Sequence, residues 1–225
     1  MPVYLLNEEP VFPHPSLADD EGLLAVGGDL SPERLLQAYA NGIFPWYSEE
    51  DPIMWWSPNP RCILYPDKLI VSDSLRKKVR KDVFEVRFDT NFAAVIVACA
   101  AIERPGQDGT WITDEMQKAY IGLHKLGFAH SVECYQDGEL VGGLYGMSLG
   151  NAFFGESMFH MVSDASKVAF VQLVERVKAW GFSFIDNQQV TPHLLSLGAE
   201  TATRDSFLKM LGQSMQKPTR RGRWT

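Results

Sequence analysis

Four consecutive polar residues, Asp186, Asn187, Gln188 and Gln189, follow the apolar or small residues 182–185 without a glycine or proline between them. In an extended chain, side chains two positions apart share a face. Asp186 can then hold the NH₂ group of Gln188, which leaves the amide oxygen free to accept a hydrogen bond. Two interpretations stay open: a hydrogen-bonded strand end, or a group of side chains that faces a ligand.

Glu156 is the second candidate acid, because it interrupts an apolar run. It lies in the motif GESMF, with Phe153, Phe154, Met158 and Phe159 on either side. A carboxylate in such surroundings must be paired, or must lie where its poor solvation serves chemistry. An ion pair with Arg or Lys and a role in an active site are both compatible with this pattern.

Metal and serine chemistry are not indicated. The five histidines form no HxH, HExxH or HxxxH pair, and the three cysteines have no CxxC spacing. We therefore predict no metal, no cofactor and no disulfide framework, and the unpaired cysteines favour a cytoplasmic location. A GxSxG turn is missing, and so is an apolar run of the ~20 residues that a membrane span needs.

Aromatic and basic residues carry a possible nucleic-acid signal. Trp46 and Trp111 lie in or beside predicted loops, where a tryptophan either joins the core or offers a platform for a base. The net charge of −7 argues against a general nucleic-acid binder. Basic residues nevertheless cluster at 76–81 and at 217–223, where they form either a solvated surface or a phosphate contact. The first cluster consists of Arg76, Lys77, Lys78, Arg80 and Lys81.

The surrounding elements predict a two-part α+β chain. Ten of the 13 prolines lie in the first 66 residues. This bias predicts a small N-terminal domain, residues 1–66, with little regular structure apart from a helix that Ser31 caps and Gly42 ends. Residues 67–225 predict the order β-α-α-β-β-β-α-β-α, a mixed sheet with flanking helices. Within it we expect helices near 74–81, 92–102, 113–126 and 164–180, a hairpin at Asp137-Gly138, and a short strand at 182–185.

Five blocks, several of them long, resemble the bacterial leucyl/phenylalanyl-tRNA–protein transferases. They cover residues 22–47, 52–64, 109–113, 143–159 and 185–199. The resemblance implies an N-acetyltransferase-like (GNAT-type) second domain, 67–225. It also implies that Leu or Phe, and less well Met, moves from tRNA to the N-terminal amine of proteins that begin with Arg or Lys. The product then carries an N-terminal degradation signal (N-end rule).

The resemblance also implies roles for single residues. Asp186 is expected to orient Gln188, whose oxygen draws the proton from the attacking amine, and Glu156 is expected to be catalytic or to bind the acceptor. Whether Gln188 or the 2′-hydroxyl of the tRNA handles the proton stays open. Trp46 and Trp111 are expected to hold the terminal adenosine, and the basic residues at 76–81 the acceptor stem of Leu-tRNA or Phe-tRNA. The pocket for the amino acid is expected to contain Leu144, Phe153, Met158, Phe170, Leu173 and Ile185.

Two other functions remain as alternatives. An N-acyltransferase that uses acyl-CoA would need a glycine-rich phosphate turn before the long helix, and HMVSDASK at 160–167 has no glycine. A non-catalytic RNA-binding module would need a basic domain, which the net charge of −7 does not favour.

Overall fold

The computed structural model describes residues 3–102 and 110–225, and these residues form two mixed sheets and seven α-helices. The smaller sheet has the strand order β1-β2-β4-β3, and helix α1 connects β2 to β3. Its elements are β1 (Tyr4–Leu6), β2 (Leu23–Gly27), α1 (Pro32–Ala40), β3 (Phe44–Pro45) and β4 (Met54–Trp56).

The N-terminal part is more regular than its sequence predicted. The expectation of little regular structure is wrong, because strands of two to five residues are too short to show an alternating pattern. The predicted helix is confirmed. Ser31 Oγ accepts a hydrogen bond from the N–H of Arg34 at the start of α1, and Gly42 has the positive φ of a helix stop, +72°.

The larger sheet has seven strands in the order β11-β5-β10-β9-β8-β7-β6. Neighbouring strands are antiparallel except β10 and β9, which are parallel. Strand β5 pairs in this sheet although it precedes residue 66, and the domain boundary at that residue stays a prediction. The strands are β5 (Arg61–Leu64), β6 (Glu85–Phe88), β7 (Ala129–Gln136), β8 (Glu139–Leu149), β9 (Ala152–His160), β10 (Phe184–Gln188) and β11 (Glu200–Ala202).

Helices cover both faces of the larger sheet. Helices α3 and α4 pack with α1 and α7 in one core cluster, and α5 packs with α2 in the other. The four predicted helices of the second part and the Asp137-Gly138 hairpin are confirmed, with positive φ at both turn residues. The helices are α2 (Asp73–Arg80), α3 (Phe92–Ala101), α4 (Asp114–Lys125), α5 (Ala165–Ala179), α6 (Pro192–Ser196) and α7 (Arg204–Met215).

The parallel pair β9–β10 separates along its length, and this separation creates room for a site. Its ladder runs from Phe184 opposite Ala152 to Asp186 opposite Phe154, whereas β9 continues to His160. The residues of β9 that follow Phe154 remain paired with β8 on one edge, but their other edge has no ladder with β10 and is free to border a cavity. No helix among the described residues has the length and apolar character that crossing a bilayer requires.

Candidate functional site

Three residues of the polar cluster, Asp186 to Gln188, form the end of β10, and Gln189 follows the strand; the predicted strand 182–185 begins two residues too early and ends three residues too early. Gln188 has a φ of +56°, and the N–H of Gln189 donates to the carbonyl of Asn187 at 2.7 Å. This is a γ-turn with positive φ at a residue other than glycine, a strained conformation that is common at functional sites. A bulge against β5 falls at the same place.

Asp186 is fully buried and forms a bidentate ion pair with Arg61. Its Oδ1 and Oδ2 accept from Nε at 2.9 Å and Nη2 at 2.7 Å. Arg61 Nη1 donates to the carbonyl of Gly42 at 3.0 Å, and the guanidinium lies over the rings of Phe44 and Phe207. Asp186 therefore has the environment of a hydrogen-bonded strand end, one of the two interpretations that its sequence allows.

Asp186 does not hold the side chain of Gln188 as the sequence analysis expected. Its Oδ1 accepts a hydrogen bond from the backbone N–H of Gln188 at 3.0 Å. The left-handed backbone at Gln188 ends the alternation of side chains that the expectation assumed, so the amide points to the other side. There, Gln188 Nε2 lies 3.3 Å from Glu156 Oε1. The carboxylate that orients the amide is therefore Glu156.

Two tyrosine hydroxyls complete the surroundings of Glu156. Tyr39 donates to Oε1 at 2.6 Å and Tyr120 to Oε2 at 3.3 Å, and the two hydroxyls also contact each other. Within the described part of the chain Glu156 has no ion pair, so the alternative of an Arg or Lys partner is not realised.

The pKa of Glu156 lies near neutral pH. Burial raises the pKa of its carboxyl to about 7, and the negative charge of Asp186 adds to the rise, whereas the tyrosine hydroxyls oppose it. Burial, together with the charge of Glu156, raises the pKa of Tyr39 and Tyr120 well above the usual value, so both stay protonated donors. Near pH 7, Glu156 is thus partly ionised and can respond to a bound charge.

An apolar cavity of about 250 Å³ opens beside Glu156 and Gln188, and we call it the apolar cavity. Five of the six residues predicted for the amino-acid pocket line it: Leu144, Phe153, Met158, Phe170 and Leu173. The sixth, Ile185, does not. It is fully buried in the core cluster beneath the cavity, where its backbone pairs with Leu64 and Phe153.

A second cavity of about 130 Å³ adjoins the first, and we call it the tryptophan cavity. Trp46 lines it on one side, and Phe44, Pro45 and Gln189 also contribute. Both cavities share four lining residues, Trp111, Glu156, Asn187 and Gln188. The two predicted tryptophans therefore lie at one cavity, and the acid–amide pair lies where the two cavities meet.

Several residues of the site were missed from the sequence. Tyr39 and Tyr120 lie on apolar helix faces, so nothing in their spacing separates them from core tyrosines. Asn187 was named only as part of the polar cluster. Its buried Nδ2 atom has no hydrogen-bond partner, although the residue lines both cavities. Arg61 gave one usable signal, a charged residue next to the apolar residues 62–64.

The predicted basic cluster lies on α2 and at its C-terminal end. Arg76, Lys77, Arg80 and Lys81 are exposed. Lys78 instead pairs with Asp164 at 2.7 Å, and Asp164 also binds Lys167 in the first turn of α5. Four of the five predicted cations are therefore available on one surface.

Two adjoining cavities with a carboxylate and an amide at their junction form a site that suits an enzyme for group transfer between two substrates. Within residues 3–102 and 110–225, no three His, Cys, Asp or Glu side chains lie close enough to hold a metal ion. Family models described as leucyl/phenylalanyl-tRNA protein transferase and as its N-terminal domain match residues 63–212 and 28–59. The chain belongs to this family of transferases.

Curated relatives support the same assignment. A leucyl/phenylalanyl-tRNA–protein transferase of Myxococcus xanthus is 60% identical over 227 residues, which cover 100% of this chain and 97% of the relative. One from Desulfatibacillum aliphaticivorans is 61% identical over 225 residues, with the same coverage. Among solved structures, a functionally unknown conserved protein from Staphylococcus epidermidis has 9% identity and a TM-score of 0.45, over 80% of this chain and 68% of its own. That likeness is too low to support a statement about fold or function.

Proposed function

We propose that this transferase moves Leu or Phe, and Met less well, from its tRNA to the α-amine of proteins that begin with Arg or Lys. One observation carries the proposal: an apolar cavity and a tryptophan cavity meet at Glu156 and Gln188. A 3′-aminoacyl-adenosine has an apolar side chain, a flat base and an ester between them, and these parts match the two cavities and their junction.

The donor binds with its side chain in the apolar cavity and its adenosine in the tryptophan cavity. Aromatic and aliphatic walls suit both Leu and Phe, and the flexible side chain of Met158 adapts to either shape. Trp46 and Trp111 stack on the adenine, a contact worth about 1–3 kcal/mol per base. Asn187 Nδ2, which has no partner of its own, donates to an oxygen of the bound donor.

The transfer step needs no cofactor, because an aminoacyl ester is already activated. The amine nitrogen attacks the ester carbonyl, loses one proton and forms the amide, and the ester C–O bond breaks to return a hydroxyl to the tRNA. Most of the acceleration comes from holding the two substrates together. The Gln188 oxygen accepts a hydrogen bond from the amine while Glu156 holds its NH₂ group. The proton leaves through this pair or through the 2′-hydroxyl of the donor.

Glu156 also recognises the acceptor. Its ionised carboxylate attracts the basic first residue of an acceptor protein, and the approach of that cation stabilises the ionised form. Asp186 acts at a distance from the reacting atoms, because its ion pair with Arg61 and its bond to the Gln188 backbone fix the γ-turn.

The exposed residues Arg76, Lys77, Arg80 and Lys81 bind the phosphates of the acceptor stem, and Lys78 supports them through Asp164. Asp164 also argues against the acyl-CoA alternative, because it puts a carboxylate where a pyrophosphate would bind at the start of α5.

We also propose a fold type for the second domain, a cellular location for the enzyme and a fate for its product. The diverging parallel strands β9 and β10 support a GNAT-type second domain, 67–225, after an N-terminal domain, 1–66, that contributes β5 to the shared sheet. The two family models, which match residues 28–59 and 63–212, also support two units. Because charged tRNA is a cytoplasmic substrate, the enzyme acts in the cytoplasm, and its product carries an N-terminal degradation signal.

The test is a transfer assay with purified protein, Leu-tRNA or Phe-tRNA carrying a labelled amino acid, and a peptide that begins with Arg. We expect label on this peptide and none on a matched peptide with an acetylated N-terminus or with Glu in the first position. Binding of tRNA without labelling of the peptide would favour the RNA-binding module. Transfer from acyl-CoA alone would favour an N-acyltransferase that uses acyl-CoA.

A further inference from the structure

The segment after α7, residues 216–225, passes from one face of the larger sheet to the other. Thr219 Oγ1 accepts from the N–H of Gly150 at 2.9 Å, and the N–H of Gly222 donates to the carbonyl of Gly127 at 3.1 Å. Helix α7 packs in the core cluster of α3 and α4, whereas Trp224 belongs to the cluster of α5. The segment thus brings a large side chain to the core cluster beneath the apolar cavity.

Trp224 is held from several directions. It is 2% exposed, and its indole stacks on His130 with ring centroids 3.8 Å apart. Its N–H donates to Asp89 Oδ2 at 2.8 Å, its carbonyl accepts from the guanidinium of Arg176, and its Nε1 donates to the carbonyl of Arg220 at 3.3 Å. Because these contacts hold both its backbone and its ring, the indole of Trp224 is a rigid packing surface for neighbouring side chains.

One of the groups packed on this indole is a wall of the apolar cavity. The ring of Phe153 lies 5.7 Å from the Trp224 ring, at an angle of 46°. Phe153 has no exposure to solvent and lines the cavity together with Leu144 and Met158. The ring of Phe153 thus borders the cavity and also contacts the Trp224 indole, and this indole limits how far the wall of the cavity can move back when a larger side chain enters.

We infer that Trp224 is a positioning residue that sets the depth of the apolar cavity by backing Phe153, and that it thereby tunes the preference between Leu and Phe. The inference rests on the proposed function, because it assumes that the transferred side chain occupies this cavity. Trp224 itself touches no substrate. Its removal should relax the wall and favour the longer aromatic side chain.

The experiment compares Trp224→Ala and Trp224→Phe with wild type, and uses Leu123→Ala as a matched control. Leu123 is fully buried in α4 within the other core cluster and lines neither cavity. Values of kcat and KM are measured with Leu and Phe donors, both as charged tRNA and as 3′-aminoacyl-adenosine. Circular dichroism at the assay temperature verifies that each variant is folded, and Trp224→Leu replaces the alanine variant if that protein does not fold.

We expect Trp224→Ala to shift the Phe:Leu ratio of kcat/KM at least about fivefold toward Phe with both donor types, mainly through KM; a methylene in such a pocket changes selectivity about 10–200-fold. Trp224→Phe and Leu123→Ala should stay within about twofold of the wild-type ratio. A folded Trp224→Ala with an unchanged ratio overturns the inference. A shift with tRNA but not with adenosine donors also overturns it, because it would assign the segment to tRNA contact. A wild-type protein that transfers neither amino acid refutes the proposed function itself.

Discussion

Replacing Glu156 with Gln tests how this carboxylate works, because the substitution keeps the shape of the side chain and removes its titration. In the proposed reaction two groups must lose a proton before transfer: Glu156, with a pKa of about 7, and the acceptor amine, with a pKa of about 7.7–8.0. Since kcat/KM reports the free enzyme and the free substrate, both titrations should appear in its pH profile.

The size of the effect follows from the two pKa values. Between pH 6 and pH 7 the ionised fraction of Glu156 rises from about 9% to about 50%, and the free fraction of the amine from about 2% to about 14%. For wild type kcat/KM should therefore rise about 50-fold over this interval, and for Glu156→Gln only about ninefold. At pH 8 the variant should also be about 10–150-fold slower, because it loses hydrogen bonds to a charged group worth about 1.5–3 kcal/mol.

The assay measures kcat/KM for an Arg-first peptide from pH 6 to pH 8 at saturating charged tRNA. Glu133→Gln is the control, since Glu133 is a fully buried carboxylate that lines neither cavity. Its profile should keep the steep wild-type slope. If wild type rises only about ninefold, or if Glu156→Gln keeps the 50-fold rise, ionised Glu156 is not needed and the reasoning fails.

Three further predictions concern stability and tRNA binding. The raised pKa of Glu156 means that the folded state holds its proton more tightly than the unfolded chain does. As pH rises from 4.5 to 7.5, the free energy of unfolding of wild type should therefore fall by about 3 kcal/mol relative to that of Glu156→Gln, as measured by urea titration. A difference that stays constant with pH would contradict this. Asp186→Ala should lower the free energy of unfolding by about 3–5 kcal/mol and turnover at least about tenfold, because Arg61 stays buried without its partner. The control Asp67→Ala breaks an exposed pair with Lys178 and should change neither quantity. Charge reversal of Arg76 and Arg80 should raise KM for charged tRNA but leave KM for an aminoacyl-adenosine donor unchanged. The slope of log affinity for tRNA against log salt concentration should become shallower by about one unit per lost phosphate contact. An equal rise of KM with both donors would contradict a contact between these residues and the acceptor stem.

The regular elements were predictable where local signals agreed with one another. Thr113 caps α4 and acidic residues fill its first turn, and Asp137-Gly138 closes a hairpin between alternating strands. The short strands of the N-terminal sheet were not predictable, because their pairing depends on partners far away in the sequence.

Part of the membership of the site was predictable, but its hydrogen bonds and ion pairs were not. Glu156 and Gln188 were selected as chemically unusual residues, and both line the junction of the cavities. The γ-turn that brings them together has positive φ at a glutamine, which carries no signal for that conformation. Ile185 was assigned to the pocket from the resemblance, whereas it is fully buried in the core cluster and lines neither cavity.

The ion pair between Arg61 and Asp186 connects the two cavities, and this connection explains why two charges are buried there. Arg61 also binds the carbonyl of Gly42, in the loop that leads to Trp46, while Asp186 holds the backbone of Gln188. A buried pair adds little stability over apolar side chains of similar size, because desolvation offsets the attraction. Its value here is geometric: it fixes the loop of the tryptophan cavity against the strained turn of the apolar cavity. In the proposed reaction, this contact helps to set the distance between the base of the donor and its ester.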